Sequence, residues 1–152
     1  MRLTLYTDYS LRVLLYLAAK PDETVTITEV AEYYDISRNH LVKVVHSLGI
    51  NGFISTSRGK NGGIRLALPA DEILLSDVIK KTEPDMDLLD CFNPKTDNCV
   101  MTRTCRLKMI LYESRAAFMA VFKQNTLADA AKPITRSSSR KTANVNLSKL
   151  KR

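Results

Sequence analysis

The three cysteines of the chain, Cys91, Cys99 and Cys105, all fall within one segment of fifteen residues. Thiolates this close in sequence suit a soft metal centre such as an iron–sulfur cluster, zinc or copper(I), because they deprotonate on binding and are polarizable. The segment also contains Pro94 and Asn98, so it is expected to be an irregular loop. A polar loop argues against the simplest alternative, in which the cysteines are merely small buried apolar side chains.

Zinc and thiol redox chemistry remain open as alternatives. A fourth zinc ligand could come from His40 or His46, although zinc sites usually pair cysteines two to four residues apart.

We expect a cytoplasmic protein with no membrane contact, because neither a signal peptide nor a membrane-spanning segment is recognisable. A structural disulfide is not expected there, and three cysteines would leave one thiol unpaired.

The net charge of +7 comes from one end of the chain. Residues 132–152 carry seven basic side chains and no acidic one, so residues 1–131 are neutral overall. Within that neutral part, residues 36–70 contain five basic and no acidic side chains, whereas residues 71–101 contain eight acidic and three basic ones. A basic stripe confined to one region indicates nucleic-acid binding better than total charge does.

Two helices are predicted ahead of the basic stripe. The first covers residues 7–19, with Thr7 and Asp8 as capping candidates. Its apolar side chains share one face at helical spacing: Leu11, Leu14, Leu15 and Ala18. The second covers residues 29–34 and is predicted to be capped by Thr28.

A third helix is predicted over residues 38–48, after a tight turn at residues 35–36. Ser37 is its predicted cap and Gly49 its predicted end. The stripe expected to be buried consists of Leu41, Val44, Val45 and Leu48. Two short helices separated by a few residues form a helix-turn-helix, in which this third helix would be the recognition helix.

A β-hairpin is predicted directly after the recognition helix. Residues 53–57 and 64–68 are strand-like, and the connection RGKNGG contains Asn61-Gly62-Gly63, which tolerates positive φ. A basic, glycine-rich hairpin at this place is typical of the wing of a winged helix-turn-helix.

The acidic segment 71–84 predicts a short helix capped by Ser76, and residues 105–124 predict a long helix without proline or glycine. The long helix has two apolar stripes: Leu107, Ile110, Leu111, Phe118 and Val121, and Met109, Tyr112, Ala116 and Met119. Two apolar faces require two partners, so we expect one face to pack on the chain itself and the other on a second copy.

The predicted fold is therefore mainly α with a small β-wing, a winged helix-turn-helix domain followed by a long dimerisation helix, in a homodimer. Residues 1–70 would form the DNA-binding domain and residues 71–131 the cluster-binding loop and dimerisation helix. Residues 132–152 have the composition of a disordered basic tail, for which we expect only nonspecific attraction to phosphates.

Several motifs, in this order, resemble the NsrR family of nitric-oxide-sensing repressors over residues 1–131. They are TDYSLRVLLYLAA, SRNHLVKVVHSL, RGKNGGIRLALP, the cysteine triplet, CRLK and TLADAA. A histidine shortly after the third cysteine would indicate the related regulator of iron–sulfur assembly, but Arg106, Leu107 and Lys108 stand there. The seven residues between Cys91 and Cys99 make a longer first spacing than is usual in relatives.

The resemblance implies a winged-helix homodimer with an iron–sulfur cluster of the 2Fe-2S or 4Fe-4S type. The intact cluster would permit operator binding, and nitrosylation or loss of the cluster would release the DNA. Cys91, Cys99 and Cys105 match the thiolate ligands, and Asp8 matches an oxygen ligand donated by the opposite subunit. From the residues alone, an aspartate at a helix start is ordinarily an N-cap.

The candidate residues for contact with double-stranded operator DNA lie on the recognition helix and the wing. They are Ser37, Arg38, Asn39, His40 and Lys43, and at the wing Arg58, Lys60 and Arg65. Arg38 suits guanine, Asn39 adenine and Lys43 phosphate, and the wing suits a minor groove. The alternative is an ordinary solvated polar face, but this part of a recognition helix ordinarily meets base edges. His46 faces away and is expected to be structural.

Three classes of function remain distinguishable by experiment. The first is a repressor that senses nitric oxide, with no enzymatic role. The second is an electron-transfer or cluster-carrier protein, against which the basic wing argues. The third is a DNA-binding regulator that senses thiol oxidation, zinc or the supply of iron–sulfur clusters.

Overall fold

The computed structural model describes residues 2–21, 23–59 and 62–132. The elements are α1 (Leu5–Ala18), α2 (Ile27–Tyr34), α3 (Arg38–Ile50), β1 (Ile54–Ser57), β2 (Gly63–Leu66), α4 (Leu75–Thr82), α5 (Arg106–Lys123) and α6 (Leu127–Ala131), with a 3-10 turn at Asp90–Phe92. The predicted mainly helical fold with a small β-wing is confirmed. Lys60 and residues 133–152, which carry the wing-tip and disordered-tail predictions, lie outside the described residues.

The first helix begins earlier than predicted because its N-cap is Thr4, so the assignment of Thr7 or Asp8 as the cap is wrong. The Thr4 hydroxyl accepts a hydrogen bond from the backbone N–H of Thr7 at 3.2 Å. The buried side chains of α1 are Thr7, Ser10, Val13, Leu14, Tyr16 and Leu17. The predicted face is therefore rotated: Leu11, Leu15 and Ala18 are only half-buried at the edge of the core.

The helix-turn-helix has two capping differences from the prediction. Thr26, and not Thr28, caps α2, because its hydroxyl accepts a hydrogen bond from Glu29 N at 3.1 Å. Ser37 occupies the predicted cap position of α3, but its side chain makes no capping hydrogen bond within the described residues. Between the two helices, Asp35 adopts a left-handed conformation with φ 52°, which makes the predicted tight turn.

The recognition helix continues past the predicted stop at Gly49 and ends at Ile50. The reversal takes place at Gly52, whose φ is 77°, a conformation that favours glycine. The predicted buried stripe of Leu41, Val44, Val45 and Leu48 is found buried. The opposite face of α3 is consequently free to meet a ligand.

The wing is an antiparallel hairpin in which Ile54 pairs with Leu66 and Ser57 with Gly63. Asn61 lies outside the described residues. Among the described residues of the connection the positive φ, 107°, lies at Gly59, so Gly62 and Gly63 serve a different purpose from the predicted one. A Cβ on Gly62 would lie 2.5 Å from Ser57 O, and a Cβ on Gly63 would lie 2.5 Å from Val25 O. These positions therefore require glycine for close backbone approach.

The core is shared by the helix-turn-helix, the wing and the two short helices α4 and α6. Its fully buried side chains include Leu14, Leu17, Leu41, Leu48, Ile73, Val78 and Leu127. The chain returns to this core after α5, because Leu127 N donates to Ile73 O at 2.8 Å and Ala128 N donates to Ala70 O at 2.9 Å. The segment that follows α5 is thus tied to residues 70–73, just after the wing.

Helix α4 begins at Leu75 with Leu74 at its N-cap, so the prediction that Ser76 caps it is wrong. Ser76 lies inside the helix, where its side chain is buried against the core. Burial and not capping explains a small residue at this position. Within the described residues, every helix is too short or too polar to cross a bilayer.

Helix α5 lies on the surface, and none of its residues is fully buried. Its half-buried side chains are Lys108, Leu111, Tyr112, Arg115, Phe118, Met119 and Phe122. The two predicted stripes are therefore each split, with Leu111 and Phe118 turned inward. Leu107, Ile110 and Val121 stay 57%, 46% and 58% exposed.

Candidate metal centre and nucleic-acid interface

The first part of the cysteine loop is fixed to α5 by an aromatic contact next to Cys91. Phe92 is only 6% exposed, and its ring stacks on Tyr112 with centroids 4.2 Å apart and planes inclined by 21°. The guanidinium of Arg115 lies 5.0 Å from the Phe92 centroid and donates a hydrogen bond to Asp87 Oδ1 at 3.3 Å. Cys91 is thereby held beside the middle of α5.

The second part of the loop is organised by Asp97. Its Oδ1 accepts hydrogen bonds from the Thr102 hydroxyl at 2.7 Å and from Cys99 N at 3.1 Å, while Lys108 Nζ lies 3.4 Å from its Oδ2. The Asp97 and Lys108 side chains are only 14% and 16% exposed. The pKa of Asp97 lies below its usual value, mainly because its carboxylate accepts the hydrogen bond from Thr102. These contacts tie the Cys99 backbone to the first turn of α5.

The third cysteine, Cys105, occupies the N-cap position of α5. Negative charge is favoured at this end of a helix, as a thiolate-bound cluster would require. Cys99 is exposed, Cys91 and Cys105 are partly exposed, and none of the three is in a disulfide. Three accessible, unpaired thiols on one anchored loop form a donor set that fits an iron–sulfur cluster.

The thiols are not gathered around one point. Among the residues that the structure describes, no group of three or more histidine, cysteine, aspartate or glutamate side chains is close enough to hold a metal ion. The anchors of the loop are Phe92, Asp97 and Lys108, none of which is a cysteine. A cluster held by all three thiols would therefore require the cysteine side chains to come closer together than they lie in this structure.

Asp8 lies in the first turn of α1, where its carboxylate contacts Arg12 Nη2 at 2.9 Å. Both side chains are 42% exposed. The pair has i, i+4 spacing, and an ion pair this exposed contributes little stability. Asp8 is consequently accessible from outside its own chain.

The predicted base-contacting residues share the exposed face at the start of α3. Ser37, Arg38, Asn39, His40 and Lys43 are all exposed. Arg38 Nε donates a hydrogen bond to the Thr28 hydroxyl at 3.3 Å, which links the recognition helix to α2. His46 is exposed as well, so the structure gives it no packing role.

The wing lies beside the start of the recognition helix. Both elements line one cleft of about 330 Å³, which Arg38 shares with Thr28, Thr56, Ser57 and Gly59. Arg58 and Arg65 are exposed, and Arg65 Nε donates to the Ser55 hydroxyl of the paired strand at 3.3 Å. The structure therefore brings the helix and wing candidates to adjacent surfaces.

The sequence analysis missed the residues that support the candidate sites. Asp97 could have been found, because an aspartate two residues before Cys99 is placed to accept that residue's backbone N–H in an Asx turn. Thr28 was assigned to capping and instead faces the cleft. The aromatic contact of Phe92 has no local signal, since its partner Tyr112 lies on a separate element.

Comparison with known proteins identifies the family. Residues 3–133 match the model of the Rrf2 family, described as "Iron-dependent Transcriptional regulator". The chain is 49% identical over 130 residues to the HTH-type transcriptional regulator NsrR of Shouchella clausii, covering 85% of this chain and 87% of that protein. It is 46% identical over 133 residues to the regulator of the same name from Bacillus subtilis, covering 87% and 91%.

Solved structures agree with this assignment. Staphylococcus aureus CymR superposes with a TM-score of 0.69 at 25% identity, covering 87% of this chain and 99% of that one. T. potens IscR superposes with a TM-score of 0.72 at 19% identity, covering 92% and 93%, a likeness that concerns the fold alone. The resemblance to NsrR regulators that the motifs indicated is confirmed, and the chain belongs to the Rrf2 family of transcriptional regulators.

Proposed function

We propose that the chain is a homodimeric repressor that binds operator DNA while it holds an iron–sulfur cluster, and releases the DNA when nitric oxide attacks the cluster. One observation carries the proposal: three unpaired thiols lie on a loop anchored to α5, in a chain whose recognition helix and wing expose basic side chains. The high identity to regulators named NsrR supports it further. This function requires no catalytic step and places the protein in the cytoplasm.

Cys91, Cys99 and Cys105 would hold the cluster, of the 2Fe-2S or 4Fe-4S type, with Asp8 supplied by the partner subunit. When bound, the cluster supplies iron that can accept nitric oxide. A carboxylate is a harder and more easily displaced ligand than a thiolate. Asp8 would have to leave Arg12 to serve as a ligand, and the exposure of that ion pair makes the exchange inexpensive in free energy.

The exposed stripe of α5 supports a dimer. Leu107, Ile110, Ser114, Ala117 and Val121 recur at alternating intervals of three and four residues, the spacing of a helix that packs against another helix. The inward side chains of α5 already contact the cysteine loop, through Tyr112 and Arg115. A second copy seated on this stripe would place two sensor loops and two recognition helices in one assembly.

The recognition helix would read DNA through its exposed first turns. Arg38 and Asn39 would contact base edges, whereas Lys43, Arg58 and Arg65 would contact phosphates and the minor groove. Ser37, His40 and Lys60 complete the proposed contact set. In a two-fold dimer the operator half-sites would be palindromic and lie about 34 Å apart, one turn of DNA.

Anaerobic purification followed by a nitric-oxide titration tests the proposal. Iron and acid-labile sulfide would be counted, visible absorption recorded, and affinity measured by fluorescence anisotropy on a duplex selected by the loaded protein from a random library. We expect coloured protein whose dissociation constant rises as the absorption bleaches. Colourless protein whose affinity is unaffected by nitric oxide would eliminate the proposed function.

Thiol oxidation is a second candidate signal. Cys99 is exposed, and the chain is 25% identical to a Staphylococcus aureus CymR structure described as the oxidized form, with a TM-score of 0.71. The two signals are separable, because a thiol sensor without a cluster would respond to peroxide and contain no iron. The proposed repressor would lose its response to nitric oxide once the cluster is removed.

A further inference from the structure

We propose that Lys108 supplies a counter-charge to the bound cluster, so that its ammonium stabilises the negative charge that the thiolates bring. The inference rests on the proposed function, in which Cys99 and Cys105 are two of the ligands. Lys108 lies three residues after Cys105, so the two residues are neighbours on one side of the start of α5. The same ammonium contacts Asp97, which accepts a hydrogen bond from Cys99 N. The positive charge therefore lies next to the segments that carry two of the three candidate ligands.

The first turn of α5 has a charge pattern that a helix start ordinarily disfavours. It contains two basic residues, Arg106 and Lys108, and no acidic one, and Cys105 at the N-cap makes no side-chain capping hydrogen bond within the described residues. The N-terminal end of a helix carries a partial positive charge, so cations are unfavourable there and anions are favourable. An anion bound at Cys105 would remove this conflict, because the helix end and both basic side chains would attract it.

Lys108 is nearly buried but only loosely paired. Its side chain is 16% exposed and that of Asp97 is 14% exposed, which makes theirs the least exposed ion pair in the part of the chain that the structure describes. Their distance of 3.4 Å exceeds the about 2.7–2.9 Å of a strong charge-assisted hydrogen bond. An ammonium has three N–H groups, and Asp97 is the one acceptor that Lys108 has among the described residues. Donors therefore remain for a cluster sulfur or a thiolate.

The low exposure of this pair makes its charges effective. A charge shielded from water acts through a lower effective dielectric constant and is screened less by salt than a surface charge. The reduction potential of an iron–sulfur cluster depends on its net charge and on hydrogen bonds to its sulfurs. Asp97 opposes Lys108, because its carboxylate neutralises part of the ammonium's charge. The two members of the pair should therefore influence the cluster in opposite directions.

Four variants test the inference in full-length, anaerobically purified protein. Lys108→Met removes the positive charge, and Lys108→Arg keeps it. Asp97→Asn removes the opposing charge but keeps an oxygen that can accept from Thr102 and Cys99 N. Arg106→Met removes a charge from an exposed position of the same turn and is the matched control.

Two quantities are measured for each variant: the half-life of the visible absorption under excess iron chelator, and the midpoint potential for one-electron reduction of the cluster. Iron and sulfide counts report the loading, and thermal midpoints report the fold. We expect Lys108→Met to shorten the half-life about tenfold and to lower the potential by about 59 mV, the one-electron equivalent of a tenfold change in the reduction equilibrium. Lys108→Arg and Arg106→Met should behave as the wild type. Asp97→Asn should raise the potential and retain at least the wild-type half-life.

A pair that only braces the loop would give a different result, because loss of either partner breaks the same contact. The inference is overturned if Lys108→Met and Asp97→Asn shift the potential in the same direction, or if Lys108→Met matches Arg106→Met in both quantities. Either result in coloured protein refutes the role of Lys108 and leaves the proposed function standing. Colourless wild-type protein would refute the role of Lys108 together with the proposed function.

Discussion

Replacement of Phe92 by alanine should detach the Cys91 end of the cysteine loop from α5. The Phe92 side chain is 6% exposed, stacks on Tyr112 at 4.2 Å and lies 5.0 Å below the Arg115 guanidinium. Truncation of a buried phenylalanine costs about 3–5 kcal/mol. Phe92 lies outside the main apolar cluster, where the loop can partly collapse into the space, so we expect about 3 kcal/mol, the lower end of that range.

Phe92→Leu separates the cost of lost apolar burial from the cost of the lost aromatic pair. Leucine restores most of the apolar burial but not the stacked pair. We expect a loss of about 1 kcal/mol for that variant, as an aromatic pair is worth about 0.5–1.5 kcal/mol. The free energy of unfolding would be measured by urea denaturation, at one protein concentration because a dimer's stability depends on it. A Phe92→Ala protein within about 0.5 kcal/mol of wild type would refute the claim that this contact anchors the loop.

Three further predictions concern the dimer, the DNA and the loop. Ile110→Glu should convert the proposed dimer to a monomer on size exclusion with light scattering, whereas the exposed control Glu113→Ala should not. Lys43→Ala should weaken binding to all DNA sequences and flatten the salt slope by about one unit. The pKa of Asp97 is lowered in the folded state, so its carboxylate stabilises the fold at pH values above the pKa of the unfolded state. This contribution is lost on acidification. Asp97→Asn should therefore reduce the loss of stability at low pH in thermal melts recorded at several pH values.

Periodic patterns predicted the elements of the fold well, because α3 and the wing have strong local signals. The stripe of Leu41, Val44 and Leu48 and the glycine-rich connection both depend on neighbours in sequence. Helix ends were less predictable, since several residues can compete for one cap. The N-caps are Thr4 and Thr26 instead of Thr7 and Thr28, because both helices start earlier than their apolar periodicity indicates.

The supports of the candidate site could not be read from local patterns. Asp97 meets Lys108 and Phe92 meets Tyr112 across 11 and 20 residues, after the loop has turned back onto α5. The orientation of α5 was also underdetermined, because its apolar residues cover more than one face. The structure resolves this by turning Leu111 and Phe118 inward and leaving Ile110 outside.

The central claim is that the cysteine-bound cluster governs DNA binding, and Cys99→Ala tests it most directly. Anaerobic wild-type and variant proteins would be compared on the same duplex, with Thr104→Ala as a control at an exposed position of the same loop. We predict that Cys99→Ala is colourless and binds about a hundredfold more weakly, a difference of about 3 kcal/mol, while Thr104→Ala behaves as the wild type. Colourless Cys99→Ala protein with wild-type affinity would contradict the account.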